Sequence, residues 1–565
     1  MSTVPRRRFL AQLAGAGVIT PALTFPEILR TKLQEAELAE ITSEMILDAA
    51  QLANLEMTED KAAAMVEETT ENLARYRELQ EEPLGNEVPL PLHFNPQVPG
   101  VEVDRTPRPI QISKPTVERP ANLEDIAFWP LTHLARLLET RQVSSIELTN
   151  LYLSRLKRHG PALNCVVTLT EDRARTQASK ADEEIEAGLY HGPLHGIPYG
   201  VKDIIAVRGY PTTWGAAPFA DRVIDEDATV VQRLDEAGAV LVAKLTTGEL
   251  AFGDRWFGGR TNSPWNLEVG SSGSSAGSGA ATAAGLVGFA IGTDTGGSIL
   301  GPSEQCGVVG LRPTFGRVSR HGVMAAGTTL DKIGPMCRSA EGAALVLHAI
   351  AGPDDLDFSV PNIPVNWDAG MDATDLRLGY LAYVVEAEED PEYRAHHSHI
   401  IELLNDQWGE LHPVELPASN LNFFVEYVER AAGFTEFLQD GLDVELVRPR
   451  HGTELRTHHL VPAVQYLQAN RMRQKLMEET HQALSEVDVV LSPHGIWWHP
   501  HLSPSPLTSL TGHPVVAVPT GLALNGEPFG VTLIGHLYRE GELLSVAQRL
   551  LEATGFDKQR PPLFS

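Results

Sequence analysis

Residues 270–285 read GSSGSSAGSGAATAAG and run straight into LVGFAIG (286–292) and GTDTGGSI (292–299). This stretch limits the possible folds more than any other. A Gly/Ser run by itself is a flexible linker. Here ATAAG follows it, and small residues of that kind let a helix pack closely on its neighbours. LVGFAIG is a short continuous apolar run, which predicts a strand buried on both faces. VLVAKL (240–245) and VVAVPTG (515–521) predict two more. From about residue 123 helical and strand patterns alternate, so the expected class is α/β. No internal repeat at solenoid periods is visible.

The glycine-rich frames carry three residues able to do chemistry. They are Lys202 in HGIPYGVKDI, Ser274 in SSGSSAGS and Ser298 in GTDTGGSI. Lysine and serine can together replace a serine–histidine–carboxylate arrangement in acyl transfer. Amide hydrolysis needs an activated nucleophile, stabilisation of the tetrahedral oxyanion and a proton for the leaving amine. Lysine serves as base only when neutral, and its reference pKa is ~10.4. Burial lowers that value by several units. Val201, Ile204 and Ile205 around Lys202 make its burial expected. Taken singly, a VKD lysine is a solvated charge and GTDTGGS is a turn. The case rests on their combination.

In this order and at this spacing, the motifs resemble the amidase signature family. The resemblance extends from about residue 120 to the C-terminus. It includes SSIELTNLYLSRL (144–156), CGVVGLRPTFGRVSRHGV (306–323), TLDKIGPMCRS (329–339), GHPVVAVPTGL (512–522), PFGVTLIG (528–535) and RPPL (560–563). It implies a large mixed β-sheet covered by helices on both faces, plus a small N-terminal helical extension. It also implies an amidase: Ser298 as nucleophile, Lys202 as base, Ser274 as relay after a cis Gly273–Ser274 bond. The backbone N–H groups of Thr295, Gly296 and Gly297 would form the oxyanion hole. The substrate would be a small-molecule amide, with no cofactor and no metal. Ser272 and Ala276 replace glycines usual in the family. Leu300 stands where many members carry an arginine that helps bind a substrate carboxylate, which argues against glutamine as donor. LDAAQLANLEMTEDKAAAM (47–65) resembles the small helical C subunit of tRNA-dependent amidotransferases. The first rival reading is therefore the glutaminase component of such an amidotransferase, feeding ammonia to a tRNA-modifying partner. The second is a non-catalytic binding protein on the same fold, opposed by the intact lysine and both serines.

A net charge of −29 disfavours nucleic acid and anionic membrane surfaces as partners. Cys165, Cys306 and Cys337 form no CxxC and read as packed thiols. Arg6-Arg7-x-Phe9-Leu10 before an apolar stretch resembles a twin-arginine export signal, so a periplasmic location is expected, with a cytoplasmic one as the alternative. That stretch is too short and glycine-rich for a stable membrane span. The expected organisation is a signal segment (1–25), a helical extension (26–82), a Pro-rich strap or linker (83–122) and a catalytic domain (123–565). Thr42 and Thr58 are the expected starts of two helices in the extension, with Ile41 and Ile46 as a staple on the first. Ala62, Met65, Val66, Thr69, Leu73 and Tyr76 form the apolar stripe of the second. His396, His397 and His399, and His494, His499 and His501, are tracts without a metal-site spacing. Trp497 and Trp498 in HGIWWHPH are candidates to line a substrate pocket.

Overall fold

The computed structural model of the chain describes residues 41–80, 84–86, 88, 91–419, 421–493 and 503–565. Two compact units divide it, Met1–Pro83 and Leu84–Ser565. In the smaller unit the described residues form two helices, Ser43–Leu52 and Glu59–Gln80, which pack on each other. Thr42 caps the first by accepting a hydrogen bond from Met45 N–H, and Ile46, the expected staple residue, is buried. On the second, Ala62 is buried but Met65 and Tyr76 are exposed, so the expected stripe is only partly used. The Arg6-Arg7 segment lies outside the described residues. Among the described residues no helix is long and apolar enough to cross a membrane.

The larger unit contains strands β1 (Val166–Leu169), β2 (Pro198–Lys202), β3 (Val240–Leu245), β4 (Arg255–Trp256), β5 (Gly259–Arg260), β6 (Phe289–Asp294), β7 (Val309–Arg312), β8 (Lys332–Cys337), β9 (Leu378–Tyr380), β10 (His412–Pro413), β11 (Val489–Pro493), β12 (Val515–Leu522) and β13 (Pro528–Gly535). Strands β4 and β5 form a separate hairpin. The others form one 11-stranded sheet in the order β1-β3-β2-β6-β8-β7-β12-β13-β11-β9-β10. The sheet is mixed. β3, β2 and β6 run parallel, β6 to β13 are joined by antiparallel pairs, and β11, β9 and β10 are parallel again. Helices flank it, as the resemblance implied. VLVAKL is β3, and VVAVPTG opens β12. LVGFAIG becomes strand only at Phe289, because a left-handed turn at Gly285 (φ 65°) ends the preceding helix.

Two local features place the candidate residues. Strands β2 and β6 pair in parallel through Tyr199–Phe289, Gly200–Ala290 and Val201–Ile291. Their C-terminal ends, Lys202 and Asp294, therefore emerge at the same end of the sheet, where α/β sheets place their ligands. The small-residue helix Ala276–Ala283 lies against this end. A Cβ added at Gly277 would fall 2.4 Å from Thr246 N and 2.5 Å from Cys165 O, so only glycine fits there. The Pro-rich strap is tied along the larger unit. Gln111 N–H donates to Trp367 C=O at 3.0 Å, Ala369 N–H donates to Gln111 C=O at 3.1 Å, and Ser113 N–H donates to Glu341 Oε1 at 2.8 Å. The three cysteines are buried free thiols.

Candidate active site

Lys202 is the last residue of β2, a strand buried along its whole length. Its Nζ is hydrogen-bonded to Ser274 Oγ at 2.7 Å and to Thr293 Oγ1 at 2.8 Å. Burial pulls its pKa down from 10.5 to about 7, against the opposing pull of the Asp294 and Asp331 carboxylates. The amine is thus available as a base near neutral pH, as the apolar flanks of VKDII required.

The two serine loops are fastened to each other. The Gly273–Ser274 peptide bond is cis. Ser274 C=O accepts from Gly248 N–H at 3.1 Å, and Ser275 N–H donates to Ser298 C=O at 3.1 Å. Ser275 Oγ bridges the Thr293 backbone, donating to its C=O at 3.1 Å and accepting from its N–H at 3.2 Å. Gly273 has no room for a side chain, since a Cβ there would lie 1.8 Å from Gly253 O. Ser298 follows the β6 turn at Gly297 (φ 136°) and is half-buried between the buried Gly297 and Ile299.

Asp294 organises that turn. It forms a fully buried ion pair with Arg312 at 3.2 Å. Its carboxylate also accepts from Gly297 N–H and Ile299 N–H, each at 2.7 Å. The Gly297 N–H is therefore committed to Asp294, and the oxyanion-hole candidates narrow to Thr295 and Gly296. Beyond the turn, a Cβ on Gly296 would meet Glu426 Oε2 at 3.2 Å. Glu426 pairs with Arg430 at 3.3 Å, and burial pushes its carboxyl pKa up. Arg430 also donates to Leu250 C=O at 2.9 Å, on the wall of a pocket that includes Phe252, Tyr427, Phe434 and His451.

Leu300 is buried. It is the first residue of the Leu300–Cys306 helix and packs into a buried apolar cluster with Leu381, Val384, Val515 and Ile534. A leucine there offers a substrate carboxylate no cation. Trp497, Trp498, His494, His499 and His501 lie outside the described residues. His396 is bonded to Thr520 Oγ1 at 2.8 Å and stacks on Phe529. Glu184, His191 and His195 bring their ligand atoms within 4.8 Å of one another. His195 Nδ1 already accepts from His191 N–H at 3.2 Å, and its Nε2 meets Glu184 at 3.1 Å, so both ring nitrogens are used.

Residues 147–544 match the Amidase family. The chain belongs to that family. It is 34% identical over 481 residues to the A subunit of glutamyl-tRNA(Gln) amidotransferase from Methylococcus capsulatus, covering 76% of this chain and 98% of that protein. Among solved structures it is similar to the native peptide amidase of Stenotrophomonas maltophilia. That likeness has a TM-score of 0.69 at 29% identity, over 78% of this chain and 100% of the other. It is also similar to the A subunit of glutamyl-tRNA(Gln) amidotransferase from Thermotoga maritima, with a TM-score of 0.63 at 26% identity, over 76% of this chain and 95% of the other.

For an amidase-family chain the charged groups behind the serine loops are the part that motif reading missed. Asp294, Arg312, Lys332, Glu426 and Arg430 are all buried. The available signal was a charge inside an apolar run, as in VGLRP and LDKIGP.

Proposed function

We propose that the chain hydrolyses a carboxylic amide through an acyl-enzyme on Ser298, with Lys202 as base and Ser274 as relay. The observation that carries this reading is the 2.7 Å contact between the buried Lys202 Nζ and Ser274 Oγ. In the first step neutral Lys202 takes the Ser274 hydroxyl proton while Ser274 takes that of Ser298. Ser298 Oγ bonds to the carbonyl carbon, and the carbonyl oxygen keeps the electron pair of the broken π bond. The Thr295 and Gly296 N–H groups are the donors for that oxyanion. The proton returns through Ser274 to the amide nitrogen, the C–N bond breaks, and ammonia or an amine leaves. Water then attacks the ester by the same relay, releasing the acid and free Ser298.

A second reading has its own support. Curated relatives matched over 96–99% of their length are named as A subunits of glutamyl-tRNA(Gln) amidotransferase. They favour this reading over a free-standing amidase, while the leucine at position 300, the twin-arginine-like segment and the net charge of −29 oppose it. On this reading glutamine is the donor, and a tRNA-modifying protein partner consumes the ammonia. Likeness to a peptide amidase favours neutral amides instead.

Two measurements test these readings. A fluorophosphonate should label Ser298, and Ser298→Ala should abolish turnover; labelling elsewhere with Ser298 untouched would sink the mechanism. A kcat/KM panel of glutamine, a peptide amide and an aryl amide on the isolated chain separates the donors. Glutamine turnover without neutral-amide turnover carries the amidotransferase reading.

The twin-arginine-like Arg6-Arg7-x-Phe9-Leu10 supports a further proposal, export in the folded state. Replacing both arginines with lysine should hold the protein in the cytoplasm. A wild-type protein that fractionates there already would end this proposal and strengthen the amidotransferase reading.

A further inference from the structure

The helix Ser505–Thr511 faces the back of the turn that precedes Ser298 and grips two successive carbonyls of it. Ser509 Oγ donates to the Thr295 carbonyl. Ser505 Oγ donates to the Gly296 carbonyl at 3.2 Å. Each serine is itself held by a buried cation-forming side chain. Lys332 Nζ donates to Ser509 Oγ at 2.8 Å, and Arg312 donates to Ser505 Oγ at 3.1 Å. Thr295 is held at its side chain as well, where Oγ1 donates to Asp331 Oδ1 at 2.6 Å.

A trans peptide unit is planar, with its C=O and the following N–H pointing in opposite directions. Fixing a carbonyl from behind therefore aims the next N–H forward. The second unit shows this directly. Ser505 holds Gly296 C=O, and the Gly297 N–H on the opposite side of that plane meets Asp294 Oδ1 at 2.7 Å. In the first unit Ser509 holds Thr295 C=O, and the opposed donor is Gly296 N–H. Gly296 and Ser298 are the half-buried residues of a turn whose other members are buried.

We propose that Ser509, loaded by Lys332, is a positioning residue that aims the Gly296 N–H at the developing oxyanion. It touches no reacting atom and acts only through the Thr295–Gly296 peptide plane. A hydroxyl that both accepts from an amine and donates to a carbonyl forms a cooperative chain, stiffer than either bond alone. Burial holds Lys332 well below the usual lysine range. Replacing it by methionine removes the donor to Ser509 Oγ and keeps a side chain of similar length. This inference rests on the reading of Ser298 as nucleophile.

The test is the second-order rate at which a fluorophosphonate labels Ser298 in the full chain, measured across pH. The phosphoryl oxygen of the probe takes the place of the carbonyl oxygen, so the rate reads the oxyanion hole without a known substrate. Ser509→Ala should slow labelling by roughly tenfold to a hundredfold, short of the ~10²–10³ that losing a donor outright costs. The pH midpoint of the rate, which reports Lys202, should stay unchanged, and Ser509→Thr should restore the rate. Lys332→Met should slow labelling with the same unchanged midpoint, and it serves if Ser509→Ala does not fold. Labelling at wild-type speed in either folded variant overturns the inference. So does a slowed rate with a moved midpoint, which would mean that the lysine–serine pair itself was disturbed. Failure of the wild type to label at Ser298 would instead overturn the nucleophile reading.

Discussion

Lys202 Nζ and Thr293 Oγ1 lie 2.8 Å apart, so the near partners of the buried amine are the Thr293 and Ser274 hydroxyls, with the Thr293 carbonyl at 3.5 Å. The carboxylates of Asp294 and Asp331 act on it only from a distance, and burial dominates. A carboxylate in direct contact would hold the amine protonated, and it would not serve as a base. The hydroxyl partners leave Lys202 poised between its two states.

The rate should follow that poise. With a pKa of about 7, Lys202 is mostly neutral above pH 8 and mostly protonated below pH 6. Turnover, or fluorophosphonate labelling of Ser298, should rise through this window and level off above it. Lys202→Met should lower the rate by at least the ~10²–10⁴ that loss of general base catalysis costs. A flat profile from pH 5 to 9 would show that Lys202 is not the base.

The same shift should appear in stability. The unfolded lysine titrates near 10.5 and the folded one near 7. Between those values the unfolded state binds more protons, so stability rises with pH across the window. At pH 7 the wild type should be less stable than Lys202→Met, on the order of 4 kcal/mol from this group alone. The gap should close as the pH approaches 10.5, which denaturant melts of both proteins at pH 7 and 10 would measure. A constant gap would mean that packing, not charge, separates them.

The core strands were legible because they are unbroken apolar runs; VLVAKL is β3 to the residue. The glycine-rich frames around Ser274 and Ser298 announced sharp turns, and the cis Gly273–Ser274 bond and Gly297 (φ 136°) lie in them. Lys332 and Arg312 were missed because their meaning depends on Ser505 and Ser509, nearly two hundred residues away in sequence. Only the β7-β8-β12 neighbourhood brings them behind the Ser298 turn.

Gly277 offers a test of how tightly the small-residue helix is set. An added methyl would meet the Thr246 and Cys165 backbone at 2.4 and 2.5 Å, and backbone cannot step aside as a side-chain tip can. Gly277→Ala should destabilise the protein by roughly 1–3 kcal/mol or more, despite alanine's better helix propensity. It should also slow turnover, because Gly277 and Ser274 share one loop–helix junction. A thermal melt at or above the wild-type midpoint would show that the contact yields.

Arg430 offers a way to separate the two donors. It is buried beside Glu426, donates to Leu250 C=O at 2.9 Å, and its Nε has no hydrogen-bond partner among the described residues. Glu426 stands at Gly296, so the pair borders the turn that carries Ser298. Glutamine brings a carboxylate that a guanidinium can hold, and a neutral aryl amide brings none. A charge-assisted hydrogen bond of this kind is worth ~1.5–3 kcal/mol, or about one to two decades. Arg430→Gln should therefore raise KM for glutamine by about tenfold or more if glutamine is the donor. Arg430 also helps hold the Lys202 pKa down, so the comparison belongs on the high-pH plateau, where aryl-amide hydrolysis should change by less than about threefold because that substrate never engages the guanidinium. Burial already pushes the Glu426 carboxyl up, so it can protonate when its partner is removed and need not collapse the site. Equal losses on both substrates, with a lowered melting temperature, would assign Arg430 to the scaffold. The donor would then have to be read from kcat/KM values alone.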